Sequence, residues 1–335
     1  MRSFVLLIAI VLLGLAPGAF AASLDNQKVR GFIGQMASDH GFDAVALART
    51  FDRVQRSDRI IELIAKPAEK VKPWHQYRSI FITDKRIREG AAFWRANEGA
   101  IKRAVEAYGV APEVIVAIIG VETFYGQHAG SYRVIDALAT LAFHYPGKDA
   151  KARGDFFRSQ LEQFLLMTRE EHLDPLTPLG SYAGAMGMPQ FMPDSYRRLA
   201  VDFDGDGARD IWKDPDDAIG SVANYLHHHG WRPTGAVISP ARVVGPKPVA
   251  FLKTTIKPDF RLSDFTAAGV SPLRGGVGPD EESALFELEG VTGPEYWIGY
   301  NNFYVISRYN PRVKYAMAVA QLSEEIRKLR GGAGS

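Results

Sequence analysis

The stretch PEVIVAIIGVETFYG, Pro112 to Gly126, joins an almost wholly apolar run to one carboxylate, then to two aromatic residues and a glycine. Pro112 sits where proline is favoured, in the first turn of a helix, and the run predicts a helix from Pro112 to Glu122. A helix apolar on every side belongs inside a core, so this one marks the centre of the fold. Between Val114 and Val121 only Gly120 lacks a side chain to pack. Glu122 ends the run beside aromatic rings. A carboxylate placed there loses hydration, which disfavours its charged form, and the helix C-terminal carbonyls act in the same sense. Those are the conditions a general acid near neutral pH requires. A structural glutamate paired with one of the chain's arginines fits the same spacing.

Working outward, the chain has 335 residues, 46% of them hydrophobic, which suffices for one large domain or several smaller ones sharing a core. Its 40 basic and 38 acidic side chains balance, which excludes the electrostatic footprint of a nucleic-acid binder. Apolar residues at helical spacing predict helices over 27–40 and 93–108, and further helices over 155–171 and 315–330. A polar, glycine-containing loop is expected over 146–154, before the third of these. From about Trp231 to Tyr304, Pro and Gly become frequent and short β-prone runs appear, at Ala236-Val237-Ile238 and Ala284 to Leu288. A helical body interrupted by a small β-rich insertion is an α+β arrangement, mainly helical.

At the N-terminus Arg2, the apolar run from Phe4 to Leu15 and the small-residue pattern Ala19-Phe20-Ala21 follow the order of a secretory signal peptide cleaved after Ala21. The run is short for a membrane span, and no later segment offers one. With no cysteine in the chain there is no lipid-attachment site and no disulfide. The expectation is an exported, soluble, periplasmic protein without a transmembrane segment in its mature form.

Two further segments carry chemistry. SYAGAMGMPQFMPDSY, Ser181 to Tyr196, mixes small residues, Met, Gln190 and two prolines. It cannot form an ordinary helix, and Gly180, Gly184 and Gly187 permit close backbone approach. It is read as a groove-lining loop, against the plainer reading of a structural turn cluster. In VDFDGDGARDIW, Asp202, Asp204 and Asp206 alternate, Gly207 follows, and Asp210 falls at the ninth place. That is the opening of an EF-hand loop, whose hard oxygen ligands suit Ca²⁺. Lys213 stands where the closing glutamate is usual, and a solvated acidic turn is the alternative. His227, His228 and His229 are consecutive and point different ways around a helix, so they are expected to decorate its C-terminal end. Arg327, Lys328 and Arg330 read as a solvated helix face.

GVETFYG, DALATLAFHYP and SYAGAMGMPQFMPDSY together resemble the membrane-bound lytic transglycosylase B family, glycoside hydrolase family 103. The likeness continues through DGDGARDIW, AIGSVANYLHHHGW and FYVISRYNPRVKYAMAV, and spans about Pro73 to Leu322. It implies a lysozyme-like core with an added helical domain and a small β domain. The corresponding organisation is a signal peptide over 1–21, a helical region over 22–110 and a catalytic core over 111–231 with the acidic loop at 202–217. The β-rich insert follows over 232–304, then a segment returning to the core over 305–330 and a disordered tail over 331–335. The resemblance places the catalytic acid/base at Glu122. It places substrate contacts at Tyr77, Ser181, Gln190, Tyr225, Tyr309, Asn310 and Tyr315, with Arg153 as the counterpart of a cleft arginine. For the acidic loop it adds Asp217 as the closing carboxylate and the Ala208 carbonyl, making a structural Ca²⁺ site of Asp202, Asp204, Asp206, Ala208, Asp210 and Asp217. No cofactor for catalysis is implied.

Ordinary glycosidases flank the scissile bond with two carboxylates. A lytic transglycosylase, as the resemblance implies, needs one. It cleaves the β-1,4 bond between N-acetylmuramic acid and N-acetylglucosamine and leaves a 1,6-anhydromuramyl end. Asp136 and Asp155 are the nearest downstream candidates for a second carboxylate, and both read as structural, Asp136 as a helix cap. A hydrolytic muramidase and a non-catalytic peptidoglycan-binding protein are the competing readings. Glycan strands of peptidoglycan are the expected partner, with room for other cell-wall enzymes and none for nucleic acid.

Overall fold

The computed structural model describes residues 26–65, 72–252 and 256–331. The signal-peptide expectation, and all of the tail except Gly331, lie outside the described residues. In chain order the helices are α1 (Asn26–His40), α2 (Ala44–Phe51), α3 (Asp58–Ala65), α4 (Trp74–Phe81), α5 (Asp84–Ala96), α6 (Glu98–Tyr108) and α7 (Pro112–Thr123). They continue as α8 (Val134–His144), α9 (Ala150–Glu170), α10 (Pro193–Leu199), α11 (Pro215–His228), α12 (Leu262–Ala267), α13 (Asn301–Tyr309) and α14 (Val313–Gly331). The strands are β1 (Tyr132–Arg133), β2 (Leu179–Gly180), β3 (Ile238–Val243), β4 (Phe260–Arg261), β5 (Val270–Pro272), β6 (Glu282–Glu289) and β7 (Pro294–Gly299).

The apolar run forms the central helix. Ala111 is extended at φ −60°, ψ 127°, Pro112 opens α7, and every residue from Val114 to Val121 is buried. Helices α5, α6, α11 and α14 pack around it. Each fully buried Val or Ile in such a helix contributes about 1.5–3 kcal/mol of hydrophobic stabilisation. The core therefore fixes α7, and with it the position of Glu122. Among the described residues no single helix is long and apolar enough to cross a membrane.

The expected helix over 93–108 is two helices. Asn97 leaves helical geometry at φ −118°, ψ 29°, and both its backbone N–H and its side-chain amide donate to the Phe93 carbonyl, at 3.1 and 2.8 Å. A side chain that competes for the backbone in this way ends a helix. The expected loop over 146–154 is likewise corrected, because α9 starts at Ala150. Gly154 is a packing residue rather than a loop signal: a Cβ there would stand 3.1 Å from the Ala142 carbonyl, so its absence lets α8 and α9 approach. Asp136 is not a cap. It lies in the first turn of α8, where it pairs with Arg133 at 2.7 Å and accepts the Gln55 N–H at 2.9 Å.

Strands appear between Ile238 and Gly299, forming one five-stranded antiparallel sheet in the order β4-β6-β7-β3-β5. Strand β6 is buried on both faces. Ala284, Phe286 and Leu288 join the main core, whereas Leu285 joins a second cluster with Leu262, Phe265, Val270, Ile298 and Tyr300. The period of two along a strand sends alternate residues to the helical body and to α12. Phe286 meets Phe303 of α13 with ring centroids 5.3 Å apart, which docks the sheet on the helices. From there α13 and α14 return to the core beside α7. The molecule is α+β and mainly helical, with a small sheet inserted near its C-terminal end.

Candidate active site

The end of α7 reverses sharply after Glu122. Thr123 closes the helix, and Phe124, Tyr125 and Gly126 follow in left-handed conformation at φ 53°, 61° and 87°. For non-glycine residues that geometry costs about 1–3 kcal/mol each, so the surroundings must hold it. They do so through named contacts. Phe124 N–H donates to the Gly120 carbonyl at 3.1 Å and Tyr125 N–H to the Ile119 carbonyl at 3.3 Å. The Thr123 hydroxyl donates to the Met188 carbonyl at 3.0 Å and accepts the Gly126 N–H at 3.0 Å. The Tyr125 phenol donates to the Arg86 carbonyl at 2.8 Å, and its ring stacks on Phe93 at 5.6 Å. Gly120 now has its reason: a Cβ there would lie 2.6 Å from the Tyr125 ring. Burial pushes the Tyr125 phenol far above its ordinary pKa, which keeps it a neutral donor.

The Ser181–Tyr196 segment folds against this helix end. Strand β1 pairs with β2 through Tyr132↔Gly180 and Arg133↔Leu179, and bridges Gly180↔Met186 and Met186↔Phe191 extend the strip. The Ser181 hydroxyl accepts the Ala185 and Ala183 N–H groups at 3.0 and 3.3 Å. Gln190, left-handed at φ 53°, donates from its amide to the Ala129 carbonyl at 3.1 Å and the Gly187 carbonyl at 2.9 Å. Gly187 is left-handed at φ 66°, and a Cβ there would meet the Ile211 carbonyl at 2.5 Å. The glycine-rich composition is thus used for close backbone approach, and α10 starts only at Pro193, late in the motif.

Three tyrosines surround the carboxylate. Glu122 is half-buried, and its Oε1 accepts the Tyr315 hydroxyl at 2.5 Å. Tyr315 comes from the first turns of α14 and is 3% exposed. The Tyr309 hydroxyl donates to the Pro189 carbonyl at 2.7 Å, and the Tyr225 hydroxyl to the Arg308 carbonyl at 2.6 Å. The rings of Tyr225 and Tyr309 lie 4.6 Å apart, with Phe191 at 5.6 and 5.9 Å from them. Burial, and then the nearby Glu122 charge, raises the Tyr315 and Tyr309 phenols well above the usual range. Burial pushes Tyr225 up to about 12. All three therefore stay neutral at any pH where a carboxylate titrates. A single carboxylate in this cage can give and take one proton without a competing phenolate.

Other expected residues fall in different places. Tyr77 is buried on α4, which packs against α14, and its ring meets Trp74 and Phe81 at 6.3 and 5.1 Å. Asn310 caps α13 next to Tyr309, partly exposed. Arg153 stands exposed on α9, its guanidinium 5.4–5.6 Å from the Tyr145, Phe156 and Phe157 rings, and its contacts do not join the Glu122 group. Asp155 pairs with Lys151 at 2.7 Å on the same helix. His229 departs from the expected surface role. His227 and His228 are exposed, but His229 stacks on Tyr225 at 4.2 Å with Nδ1 2.7 Å from the Tyr225 carbonyl, and burial lowers its pKa. Thr123, Tyr125 and Phe191 lie inside the motifs read from the sequence but had no contact assigned to them there, and His229 was expected on the surface. Arg330 is likewise no free surface cation: it pairs with Glu98 at 2.8 Å and covers Trp94.

In the acidic loop, Asp202, Asp204 and Asp217 bring one oxygen each within 4.8 Å of one another. Asp217, 1% exposed, accepts the Phe203 N–H at 2.7 Å and the Asp210 N–H at 2.6 Å, one on each oxygen. Burial raises its pKa despite those two donors. The other expected ligands are engaged differently. The Asp206 carboxylate accepts the Ala208 N–H at 2.8 Å, and Asp210 accepts the Trp212 and Lys213 N–H groups at 3.0 Å each. Three convergent carboxylates, one of them buried, are hard donors that suit Ca²⁺.

Comparison with known proteins gives these arrangements a family. The family model described as "Transglycosylase SLT domain" matches residues 25–324. Membrane-bound lytic murein transglycosylase B of Escherichia coli (strain K12) is 43% identical over 311 residues, covering 90% of this chain and 83% of that one. The crystal structure of soluble lytic transglycosylase SltB1 from Pseudomonas aeruginosa superimposes with a TM-score of 0.85 at 48% identity, covering 91% of this chain and 99% of that one. The E. coli lytic transglycosylase Slt35, solved in complex with calcium, gives a TM-score of 0.82 at 42% identity, covering 92% and 95%. SltB3 from P. aeruginosa, in complex with NAG-anhNAM-pentapeptide, gives 0.78 at 31% identity, covering 90% and 79%. The lysozyme-like core with an added helical part and a small sheet is the architecture of these relatives, and the chain belongs to the lytic transglycosylases of the membrane-bound lytic murein transglycosylase B family.

Proposed function

We propose that this lytic transglycosylase cleaves the bond between N-acetylmuramic acid and N-acetylglucosamine in peptidoglycan, with Glu122 as its only acid/base. The observation that carries the proposal is the half-buried Glu122 at the end of a wholly buried helix, hydrogen-bonded by Tyr315 at 2.5 Å. Protonated, Glu122 gives its proton to the bridging oxygen as the bond to the anomeric carbon breaks. The muramyl 6-hydroxyl then attacks that carbon, and the Glu122 carboxylate takes the hydroxyl proton. One bond is exchanged for another and no water enters. The substrate provides its own nucleophile, so proximity replaces a second protein carboxylate. The engagement of Asp136 with Arg133 and of Asp155 with Lys151 supports that single-carboxylate reading.

Around the acid, Tyr315 orients the carboxylate. Tyr77, Ser181, Gln190, Tyr225, Tyr309 and Asn310 supply a sugar-binding wall of rings and polar groups, and Arg153 stands further along α9. A Ca²⁺ ion would be held by Asp202, Asp204 and Asp217, with Asp206, Asp210 and the Ala208 carbonyl as further donors. It would tie the loop to α11 and take no part in cleavage. The charged, apolar and small-residue order over 1–21 supports export to the periplasm.

The test is to digest peptidoglycan sacculi with the native protein and with Glu122→Gln, and to weigh the released muropeptides. Anhydro products, one water lighter than hydrolytic ones, are expected from the native protein and not from the variant. Reducing-end products from the native protein would identify a muramidase, and binding without release would identify a carrier or scaffold.

A further inference from the structure

The first turn of α5 carries two cations where a helix least favours them. After the N-cap Thr83 and the favourably placed Asp84 come Lys85 and Arg86, beside the positive end of the helix dipole. Among the described residues neither forms an ion pair with a carboxylate; their charged ends go to rings and to one carbonyl. The Arg86 guanidinium lies 5.2 Å from the Phe81 ring centroid and 5.0 Å from that of Phe124, and it donates to the Ile80 carbonyl at 2.5 Å. Its Nε is sealed from solvent without a hydrogen-bond partner. Lys85 Nζ lies 5.2 Å from the same Phe124 ring. Burial lowers the Arg86 pKa, as expected of a cation that loses water without gaining an anion.

The place matters as much as the charge. Phe124 is the second residue after Glu122, and Phe81 packs on Tyr77 with ring centroids 5.1 Å apart. Arg86 thus stands between the α4 wall and the end of the catalytic helix. Its carbonyl holds Tyr125, so the α5 backbone there is fixed. If packing Phe124 were the whole role, one cation would serve; a second beside the same ring adds repulsion and nothing to packing. A planar guanidinium clamped between two rings keeps its remaining donors preorganised for a carboxylate.

We infer that Arg86 and Lys85 form a carboxylate-binding subsite, which takes a free carboxylate of the peptide carried by the muramyl residue. The inference rests on the transglycosylase reading above. That residue's lactyl group bears the peptide on the same sugar whose anomeric carbon reacts at Glu122, so the peptide leaves the sugar close to the acid.

The test compares native protein, Arg86→Gln, Arg86→Lys and Lys85→Gln on two substrates: peptide-bearing glycan strands, and the same strands with their peptide carboxylates amidated. The readout is the ratio of kcat/KM between the two, followed by release of anhydromuropeptides. For the native protein the ratio is expected to be about tenfold in favour of free carboxylates, the scale of one charge-assisted hydrogen bond. Arg86→Gln should bring it near unity, with Arg86→Lys in between. Should Arg86→Gln fail to fold, the exposed Lys85→Gln decides instead, with a ratio reduced about threefold by loss of one charge. A native ratio near unity, or the native ratio retained in the variants, overturns the inference while leaving the cleavage reaction intact. If the native protein releases no anhydro product from either strand, the transglycosylase reading falls and this inference with it.

Discussion

The hydroxyl of Tyr315 donates to Oε1 of Glu122 at 2.5 Å, although 193 positions separate them in the chain. The pair meets because α7 and α14 pack directly against each other in the core. Tyr315 is 3% exposed and its phenol is raised well above its ordinary pKa, so it remains a neutral donor aimed at the carboxylate. A hydrogen bond to a charged group is worth about 1.5–3 kcal/mol, enough to hold one rotamer of a half-exposed glutamate.

Tyr315→Phe should therefore lower kcat by roughly tenfold to a hundredfold, with a smaller effect on KM. The phenylalanine fills the same space, so the melting temperature should change little. Steady-state release of anhydromuropeptides, with calorimetry on the same preparation, checks both halves. An unchanged kcat would remove Tyr315 from the orienting role.

Gly120→Ala opposes two known effects. Alanine in a helix interior gains about 1 kcal/mol over glycine, whereas overpacking a core costs about 1–3 kcal/mol. The new Cβ would lie 2.6 Å from the Tyr125 ring, which its hydrogen bond to the Arg86 carbonyl and its stacking on Phe93 hold in place, so overpacking should win. Urea denaturation is expected to show a net loss of about 1–2 kcal/mol, relieved when Tyr125→Leu is added. A stabilised single variant would contradict the close fit of Tyr125 on α7.

Alkaline pH tests the buried phenols. Tyr225 is raised from 10.0 to about 12, so above its unfolded value the unfolded chain loses a proton that the folded chain keeps. Its stabilising contribution is complete below the unfolded pKa and is lost as pH rises through the folded one. Thermal melts of native protein and Tyr225→Phe between pH 10 and pH 12 should show a shallower decline in the variant, by no more than about 3 kcal/mol across that window. Parallel declines would show that Tyr225 titrates as in the unfolded chain.

Calcium should act through Asp217. In Asp217→Asn one oxygen that accepts a backbone N–H becomes a donor, leaving either Phe203 or Asp210 unmatched at a cost of about 1–3 kcal/mol. Excess Ca²⁺ over EDTA is expected to raise the native melting temperature by a few degrees and to leave the variant's unchanged. Equal shifts in both, or none in the native protein, would argue against the acidic loop as the cation site.

Much of this arrangement was legible in the sequence because it is local. The apolar run announced α7 as the core helix, and the glycines at 180, 184 and 187 announced a loop of close backbone contacts. The alternating Asp residues marked the acidic turn; two of them, Asp202 and Asp204, converge with Asp217 of α11, which the resemblance and not the pattern supplied. What stayed hidden depends on partners distant in the chain or on a single backbone angle. Gly120 read as a missing side chain until Tyr125 filled its place. Asn97 broke a regular helical pattern by bonding to Phe93, and Gly154 looked like a loop although it lets two helices touch. His229 was indistinguishable from its two neighbours until Tyr225 was found beneath it. Arg153, carried over by resemblance, lies over the Tyr145, Phe156 and Phe157 rings.

The central claim is that Glu122 moves a proton while water stays out of the product. The most direct measurement is digestion of sacculi in heavy-oxygen water, with mass spectrometry of the new muramyl ends for the native protein and for Glu122→Gln. The expected result is anhydro ends free of heavy oxygen from the native protein, and product loss of at least about a thousandfold in the variant. Heavy oxygen at the new ends, or undiminished release by the variant, would contradict the account.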